Sequence, residues 1–255
     1  MYPILFKLGP IQIAGYGVMM TLGFFTGLVL LRRELARKGL DVALAEWVII
    51  AAMAGGLAGA KLYYLIETYP AVTQDPAGMI ISGSGFTWYG GLIVGAVAVI
   101  TAIRRSGQPL LPAIDAVAPE LAIGYAFGRM GCQLAGDGDY GMPTDLPWGM
   151  AYPNGTVPTI ERVHPAPVYE ILQSLLIFWV LWSLRVRLKQ PGQLFGVYLI
   201  LTGIARFAVE FIRLNPPMLF GLSDAQVISL LMVVGGSVWV VAMHRGSGTS
   251  PTKTE

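Results

Sequence analysis

The sequence has few charged residues, one cysteine and two histidines. Asp, Glu, Lys and Arg make up 13% of its 255 residues, roughly half of the share of about 25% that is usual in soluble domains. Because so little charge cannot cover a water-facing surface, the composition excludes a soluble globular domain. The single Cys132 excludes an intrachain disulfide, and two histidines are too few for a Cys/His zinc site. We expect neither a metal site nor a bound cofactor.

Apolar residues are abundant instead, at 55% of the total. A membrane-spanning helix needs about 20 mostly apolar residues, and seven stretches approach that length. They are residues 14–31, 44–66, 86–103, 113–130, 167–184, 194–212 and 225–243. We therefore predict an all-α membrane protein with seven transmembrane helices. The first stretch has neither a basic segment before it nor a small-residue cleavage site, so we expect it to stay in the mature protein.

The spans leave no room for a separate soluble domain, so residues 1–245 are predicted to form a single membrane domain. Its longest polar segment, about residues 136–164, forms an external loop between the fourth and fifth spans. A loop of this length is typically functional or disordered, and Trp148 and Tyr152 indicate that it folds onto the membrane surface. Residues 246–255 are rich in Gly, Ser and Thr and are predicted to be a disordered cytoplasmic tail.

Most of the Lys and Arg residues outside the predicted spans lie on one side of the membrane. Eleven of the 17 follow the first, third, fifth and seventh spans, whereas Lys7, Arg162 and Arg213 lie outside the spans on the opposite side. Because positively charged loops stay in the cytoplasm, this pattern predicts an external N-terminus and a cytoplasmic C-terminus. The net charge of +2 is too small to indicate a nucleic-acid partner.

Glycines at four-residue spacing occur in four of the spans. Such pairs let helix backbones approach closely in lipid, where no hydrophobic force brings helices together. We therefore predict helix packing at Gly23 and Gly27, Gly55 and Gly59, Gly91 and Gly95, and Gly124 and Gly128.

Several charged residues fall inside the predicted spans, where a charge is costly and indicates function. They are Lys61, Glu120, Arg129, Glu170, Arg206 and Glu210. At about 1.5 Å rise per residue, all but Glu120 lie toward the outer ends of their helices, where Tyr16 and Tyr89 also lie. The pattern predicts a cluster of guanidinium, carboxylate and phenol groups at the depth of the outer-leaflet headgroups.

Two arginines in a low-dielectric pocket need an anion, and the common anion at that depth is a lipid phosphate. Arg206 and Glu210 are four residues apart and share one helix face. Glu210 could equally neutralise Arg206 as a structural ion pair. That alternative does not account for Arg129 unless Glu170 or Asp137 partners it.

The segment 128–141, GRMGCQLAGDGDYG, is the most specific signal in the chain. Its glycines are predicted to break the fourth helix at the membrane surface and to offer backbone N–H groups to an anion, with Arg129 inside the bend. Further along, His164 precedes two prolines that start the fifth helix, and Glu170 lies one turn inside that helix.

Most of these candidate residues fall within four sequence motifs. They are Gly128-Arg129-x-Gly131 with the following Gly136-Asp137, His164-Pro-x-x-x-Tyr169-Glu170, Tyr89-Gly90-Gly91-Leu92-Ile93, and Gly203-x-x-Arg206-Phe207-x-x-Glu210-Phe211-x-Arg213. Together with the opening Gly9-Pro10 and Tyr16-Gly17, they resemble the prolipoprotein diacylglyceryl transferase family. The resemblance covers nearly the whole chain, in the same order and with the same seven-helix topology.

The resemblance implies a multi-pass enzyme of the bacterial plasma (inner) membrane whose active site faces the outer leaflet. It would transfer the diacylglyceryl group of phosphatidylglycerol to the lipobox cysteine thiol of a prolipoprotein. The products would be a thioether and glycerol phosphate. The partners would be phosphatidylglycerol, prolipoprotein signal peptides and the lipid bilayer, and we expect a monomer.

The resemblance also assigns roles to residues. Arg129 would hold the lipid headgroup and Arg206 the leaving phosphate. The predicted catalytic residues are Arg129, Arg206, Tyr89, Glu210, His164 and Glu170. The predicted substrate-binding residues are Arg129, Tyr16, Lys61, Gly90, Gly91, Asp137, Gly141 and Tyr169. Because the nucleophilic thiol belongs to the substrate, Cys132 is expected to be a buried packing residue.

The chain departs from the family pattern at three places. Tyr89 stands where a histidine is common, Thr202 where a tyrosine is common, and Cys132-x-x-Ala135-Gly136-Asp137 replaces Asn-x-x-Asn-Gly-Glu. The proton acceptor is therefore open among Tyr89, His164, Glu170, Asp137 and Glu210.

Two alternatives follow from these departures and from the motifs themselves. His164 is equally well explained as a residue that caps the fifth helix. The whole chain could also be a catalytically altered relative that binds phospholipid or lipoprotein peptide without transfer. A transporter or channel is disfavoured because the polar residues gather on one side of the membrane instead of lining its whole depth.

Overall fold

The computed structural model describes residues 1–9, 11–82, 85–218 and 220–246. From residue 247 on, the predicted tail lies outside the described residues, as does Pro10 of the N-terminal motif. In chain order the elements are β1 (Ile4–Leu8), β2 (Ile11–Ala14), α1 (Gly15–Arg37), α2 (Leu44–Glu67), α3 (Tyr69–Val72), α4 (Pro76–Ile81), α5 (Trp88–Arg105), α6 (Leu110–Ala135), β3 (Met150–Tyr152), β4 (Thr159–Val163), α7 (Ala166–Leu184), α8 (Gln193–Glu210) and α9 (Asp224–Gly246).

Seven of the described helices are long and apolar enough to cross a membrane, which confirms the predicted fold class. They are α1, α2, α5, α6, α7, α8 and α9. Helix α1 continues to Arg37 instead of ending at Leu31. Arg, Glu and Leu are good helix formers, so the chain stays helical after the apolar run ends.

The chain folds into two compact units. Unit 1 holds residues 1–27 and the described residues from 114 onward, and unit 2 holds residues 28–113. Helices α1 and α6 each contribute residues to both units. The single membrane domain over residues 1–245 stays a prediction.

In unit 2, α2 packs against α5 at glycines. A Cβ atom at Gly59 would overlap the carbonyl oxygen of Gly90, and one at Gly55 would lie 2.7 Å from the Cβ of Ala98. The backbones of the two helices approach this closely because these positions carry no side chain. Packing at the predicted positions of α2 is therefore observed.

In unit 1, α6, α7 and α8 share an apolar core. Its buried members are Ala118, Ala122, Ile177, Leu181 and Leu194. Helix α8 also packs against α9, where a Cβ atom at Gly203 would lie 2.8 Å from the carbonyl oxygen of Ser229. By contrast, a Cβ atom at Gly124 or Gly128 would meet no atom of the described part of the chain within 4 Å. The packing predicted for this pair is thus not seen around its own Cα atoms, but α1 does approach α6 here, since a Cβ atom at Gly23 would lie 3.0 Å from Phe127 Cβ and 3.8 Å from the Gly124 carbonyl oxygen.

The start of α8 is capped by a side chain from α6. The Asp115 carboxylate is buried and accepts hydrogen bonds from the backbone N–H groups of Gly192 (2.7 Å) and Phe195 (2.9 Å). The first N–H groups of a helix have no partner within the helix, and the helix dipole favours a negative charge there. This contact fixes α8, which carries two of the candidate site residues, against α6.

Helix α6 passes Gly128 and Gly131 without a bend at Arg129, so the predicted break at the glycines of segment 128–141 occurs later, at Gly136. The helix continues to Ala135, and the chain turns at Gly136 and Gly138, where φ is +60° and +95°. A glycine inside a helix costs only about 1 kcal/mol, so packing can outweigh it. A left-handed φ is what requires glycine, and it occurs only after the helix has ended.

The segment between α6 and α7 is ordered, and strands β3 and β4 form an antiparallel pair within it. The fully buried ring of Tyr152 stacks on Tyr140 with centroids 3.9 Å apart, and its hydroxyl lies 3.1 Å from the Gln133 side-chain oxygen. Burial raises the pKa of Tyr152 to about 12. These contacts fix the loop on the end of α6, where the candidate site lies.

Candidate active site

Three arginines and three carboxylates of unit 1 form one ion-pair cluster. The last part of α6 supplies Arg129, and the turn after it supplies Asp139. The first turns of α7 supply Glu170. The end of α8 and the residues after it supply Arg206, Glu210 and Arg213.

Glu170 is at the centre of this cluster. Its carboxylate lies 3.1 Å from Arg129 Nε, 3.3 Å from Arg206 Nη1 and 3.5 Å from Arg213 Nη1. The Tyr125 hydroxyl donates a further hydrogen bond to it at 2.8 Å. Its side chain is only 2% exposed, so three cations and a phenol compensate one buried charge.

Glu210 holds Arg206 from the same helix. Its Oε2 lies 3.0 Å from Arg206 Nη2, at the i, i+4 spacing. Its other oxygen accepts hydrogen bonds from Asn215 Nδ2 at 2.6 Å and from Ser223 Oγ at 2.7 Å. Glu210 therefore links the end of α8 to the segment that leads into α9.

Asp139 links the two remaining guanidinium groups. One carboxylate oxygen pairs with Arg129 Nη1, and the other accepts from Arg213 Nη2 at 2.7 Å. Burial alone would raise the pKa of this carboxyl, but Arg129 and Arg213 outweigh burial and hold the pKa below its usual value. The side chain remains 36% exposed.

Other predicted site residues adjoin this cluster. Tyr16 packs its ring on Gly131, where a Cβ atom would lie 2.7 Å from the ring. The Asp137 carboxylate accepts a hydrogen bond from the Asp139 N–H at 3.3 Å. Cys132 is buried, as expected, and its Sγ lies 3.7 Å from Arg129 Nη1.

Cys132, Asp137 and Asp139 could form a metal site by distance alone, since their ligand atoms lie within 4.8 Å of one another. The Arg129 guanidinium already contacts Asp139 and the Cys132 sulfur. A metal cation bound there would be repelled by the positive charge of the Arg129 guanidinium. The donor set therefore fits a guanidinium better than a metal ion.

Beside the cluster is a cavity of about 340 Å³. It is lined by Leu146, Trp148, His164, Tyr169, Gln173, Ala208, Val209 and Ile212. The Tyr169 hydroxyl accepts a hydrogen bond from Trp148 Nε1 at 2.8 Å and lies 3.2 Å from His164 Nδ1. The His164 ring therefore faces Tyr169, whereas its backbone carbonyl accepts a hydrogen bond from the N–H of Ala166, the first residue of α7, at 2.8 Å.

Gly141 joins the cluster to the cavity. Its N–H donates to the His164 carbonyl at 2.9 Å, and a Cβ atom there would lie 2.6 Å from the Ile212 carbonyl oxygen. The backbone at Gly141 also bridges to Arg213. Gly141 thus allows three segments to meet, and nothing larger fits between them.

Four predicted site residues belong to unit 2. Lys61 donates hydrogen bonds to the Ser82 carbonyl (3.0 Å) and hydroxyl (2.9 Å). Tyr89 is 40% exposed and its ring packs edge-on against Trp88. Gly90 and Gly91 lie where α5 contacts α2. Within unit 2 these residues have packing contacts of their own.

The sequence interpretation did not include two members of the cluster, Arg213 and Asp139, or the adjoining Tyr125 among the site residues. Arg213 had a signal, because it lies seven residues after Arg206 on the same helix face. Tyr125 also had one, since it lies one turn before Arg129, and Arg129 Nε donates to its hydroxyl at 2.9 Å. Asp139 had no signal that distinguished it from Asp137 in the same turn.

The arrangement is suited to binding an oxyanion. Arginine presents planar N–H groups that match phosphate and carboxylate oxygens, and Arg206 and Arg129 keep 26% and 16% of their side chains exposed. Such donors, fixed by buried carboxylates, can also stabilise negative charge that develops during a reaction.

Comparison with known proteins identifies the chain's relatives. A family model described as "Prolipoprotein diacylglyceryl transferase" matches residues 3–242.

Three relatives are named phosphatidylglycerol–prolipoprotein diacylglyceryl transferase. The Clostridium tetani protein is 35% identical over 239 residues, which are 92% of this chain and 95% of the relative. The Nitratidesulfovibrio vulgaris protein (strain Miyazaki F) is 32% identical over 260 residues, 98% of this chain and 96% of the relative. The Solidesulfovibrio magneticus protein is 32% identical over 254 residues, 94% of this chain and 93% of the relative. These matches confirm the resemblance drawn from the sequence motifs, and the chain belongs to the prolipoprotein diacylglyceryl transferase family.

Proposed function

We propose that this chain transfers the diacylglyceryl group of phosphatidylglycerol to the lipobox cysteine thiol of prolipoproteins. Family membership over nearly the whole chain supports this activity. The observation that carries the proposal is the meeting of Arg129, Arg206 and Arg213 around the buried Glu170. A buried ion-pair cluster rarely stabilises a protein more than apolar residues would, so this one is better explained by binding an anion.

In this proposal the lipid phosphate binds to the exposed faces of Arg129 and Arg206. Glu170 and Glu210 hold the two guanidinium groups in place through ion pairs of 3.0 to 3.3 Å. Arg206 stabilises the charge on the departing phosphate. The active site faces the outer leaflet of the bacterial plasma membrane, as the distribution of Lys and Arg predicts.

The reaction exchanges one bond at a glycerol carbon. The substrate thiol loses its proton, and its sulfur attacks the carbon that carries the phosphate ester. A carbon–sulfur bond forms, the carbon–oxygen bond to phosphate breaks, and glycerol phosphate leaves with the bonding electrons. The proton ends on the protein's base or on the leaving phosphate. Cys132 takes no part because the sulfur comes from the peptide.

His164 is the proton acceptor that the geometry favours. Imidazole is a common general base in enzymes, and the His164 ring lines the cavity beside the cluster. Glu170 and Glu210 are engaged by cations and hydrogen-bond donors. Tyr89 and Asp137 keep their predicted roles as alternatives.

The cavity at His164 is a suitable site for the peptide. Leu146, Val209 and Ile212 offer apolar surface, and Trp148 and Tyr169 add aromatic rings with polar edges. The segment of a signal peptide around its cysteine is apolar and would bury against such surface. Tyr16 and Gly141 adjoin both substrates in this proposal, whereas Lys61, Gly90 and Gly91 remain lipid-contact predictions from the family pattern.

Arginine-to-lysine variants test the proposal, because lysine keeps the charge and loses the fork of donors. Arg129→Lys and Arg206→Lys should each lower transfer from phosphatidylglycerol to a lipobox peptide by about 100-fold or more, the usual effect of losing a preorganised donor. Arg162→Lys is the matched control, since the hydrogen bonds that the Arg162 side chain donates within the described part of the chain go to loop carbonyls such as Pro147 O at 2.9 Å.

Full activity in both Arg129→Lys and Arg206→Lys would contradict the proposal. Binding of phosphatidylglycerol by the wild-type protein with no transfer to any lipobox peptide would identify the chain as a catalytically altered relative.

A further inference from the structure

The three carboxylates of the cluster are held in different ways. Glu170 and Glu210 are on helices, are 2% exposed, and accept hydrogen bonds from neutral donors in addition to their ion pairs with arginines. Asp139 lies on a turn and is 36% exposed. Its two oxygens face one guanidinium each, from Arg129 and Arg213. Asp139 is therefore the carboxylate that can leave the cluster at least cost.

The local backbone allows that movement without unfolding. Helix α6 has ended at Ala135, and the chain between Gly136 and Gly138 is in a turn. Beyond Asp139 the chain is fixed again, since Tyr140 stacks on Tyr152. A rotation of the Asp139 side chain toward solvent is enough to free both guanidinium groups.

The net charge of the cluster favours replacement of the Asp139 carboxylate by the substrate phosphate over binding of the phosphate beside it. The three arginines and three carboxylates of the cluster sum to zero. A phosphodiester carries one negative charge, as a carboxylate does. If the phosphate entered beside Asp139, the cluster would hold an excess negative charge in a poorly solvated place. If the phosphate replaces Asp139, the sum stays zero and each guanidinium keeps an oxygen partner.

We propose that Asp139 is a built-in competitor for the phosphate of the substrate. Its carboxylate occupies Arg129 and Arg213 before the lipid binds, and it yields them to the phosphodiester, which also contacts the exposed face of Arg206. The carboxylate returns to displace glycerol phosphate after the transfer. Asp139 is thus a positioning residue that sets the affinity for phosphate and the rate of product release. This inference rests on the proposed transferase activity for its role in turnover, and on the cluster geometry alone for its role in binding.

Asp139→Asn tests the competition because it keeps the shape of the side chain and removes its charge. In the full-length protein purified in detergent, we expect glycerol phosphate and inorganic phosphate each to bind about three- to tenfold more tightly to this variant, the range expected when two partly exposed ion pairs are removed. Glu161→Gln, which removes an exposed charge from β4, should bind both anions as the wild-type protein does. Unchanged or weaker binding to Asp139→Asn would overturn the proposal.

Kinetics separate this role from a merely structural one. With phosphatidylglycerol in mixed micelles, Asp139→Asn should lower KM for the lipid and also lower kcat, because product leaves more slowly. Asp139→Glu, which restores the charge, should return both constants toward wild-type values. A lower kcat with an unchanged or higher KM would contradict the competitor role. Comparing the lipid with inorganic phosphate distinguishes a headgroup site from a general phosphate site.

Two further measurements ensure that each result of the binding and kinetic experiments can be interpreted. If Asp139→Asn does not fold, Asp139→Ser provides a second neutral variant for the same binding measurement, and equal anion affinity in Asp139→Ser and wild type would overturn the proposal. If no protein in the series transfers lipid, the proposed function fails. The anion affinities then still decide whether Asp139 competes for the site.

Discussion

Tyr125 connects two charged residues of the site, Glu170 and Arg129. Its hydroxyl donates to Glu170 at 2.8 Å and accepts from Arg129 Nε at 2.9 Å. Tyr125→Phe should lower transfer activity by about tenfold, because a hydrogen bond to a charged group contributes roughly 1.5 kcal/mol and the Arg129 guanidinium loses its alignment. The measurement is kcat/KM for phosphatidylglycerol in the purified protein.

Tyr198→Phe serves as the matched control on α8. The Tyr198 side chain is hydrogen-bonded to Thr202, and it lies about 12 Å along the helix axis from Arg206. Removing this hydroxyl should leave kcat/KM within about twofold of wild type, since a ratio of two is only roughly 0.4 kcal/mol. Equal losses in both variants would show that Tyr125 acts through general packing.

At the residue scale, the sequence predicted which charges are costly and offered two ion pairs that the structure contains, Arg206 with Glu210 and Arg129 with Glu170. It did not predict that Glu170 also contacts Arg206 and Arg213. Arg129, Glu170, Arg206 and Glu210 were candidates because each lies in an apolar helix, and the structure brings them into one cluster. Asp139 could not be chosen over Asp137, because the choice depends on the path of the turn after α6.

At the scale of elements, the contact of α2 with α5 depends on individual glycines. Gly59→Ala should lower the stability of the folded protein by about 1–3 kcal/mol, the usual cost of forcing atoms into a packed contact. The added Cβ would overlap the backbone of Gly90 and the side chain of Val94. Thermal unfolding at fixed detergent composition measures the change.

Gly56→Ala, three residues earlier on α2, is the matched control. A Cβ atom there would meet no atom of the described chain within 4 Å. Since alanine is a better helix former than glycine by about 1 kcal/mol, this variant should be as stable as wild type or slightly more so. A variant Gly59→Ala as stable as Gly56→Ala would show that α2 and α5 do not pack as described.

The helices that consist of long apolar runs were predicted correctly, but the residues at which some of them end were not. The end of α6 was placed at its glycines, yet the helix continues to Ala135. Glycine weakens a helix by a small amount, and the Tyr16 ring packed on Gly131 can outweigh that loss. The strands β3 and β4 were not predicted, because they are short and lie in a polar segment whose pairing depends on the fold.

At the scale of the whole molecule, the distribution of Lys and Arg predicts the orientation in the membrane. Asp145→Cys and Val186→Cys, each in a Cys132→Ala background, place one exposed thiol in the segment between α6 and α7 and one directly after α7. In intact cells an impermeant thiol reagent should label only Asp145→Cys, and labelling of Val186→Cys should require permeabilised cells. Labelling of both from the same side would refute the predicted topology.

Composition and the order of apolar and charged segments determined by themselves that this is a seven-helix membrane protein, which family it resembles, and which arginines and carboxylates were candidates for its site. The number of spans and the cost of a charge inside them follow from the free energy of transferring each residue type from water to lipid. That free energy depends little on where the residue lies in the fold. The tertiary structure decided that Glu170 joins three guanidinium groups, that Asp139 bridges two of them, and that His164 faces a cavity beside Tyr169. Ion pairs and hydrogen bonds act over a few ångströms between residues far apart in the chain, so only the folded backbone selects the partners.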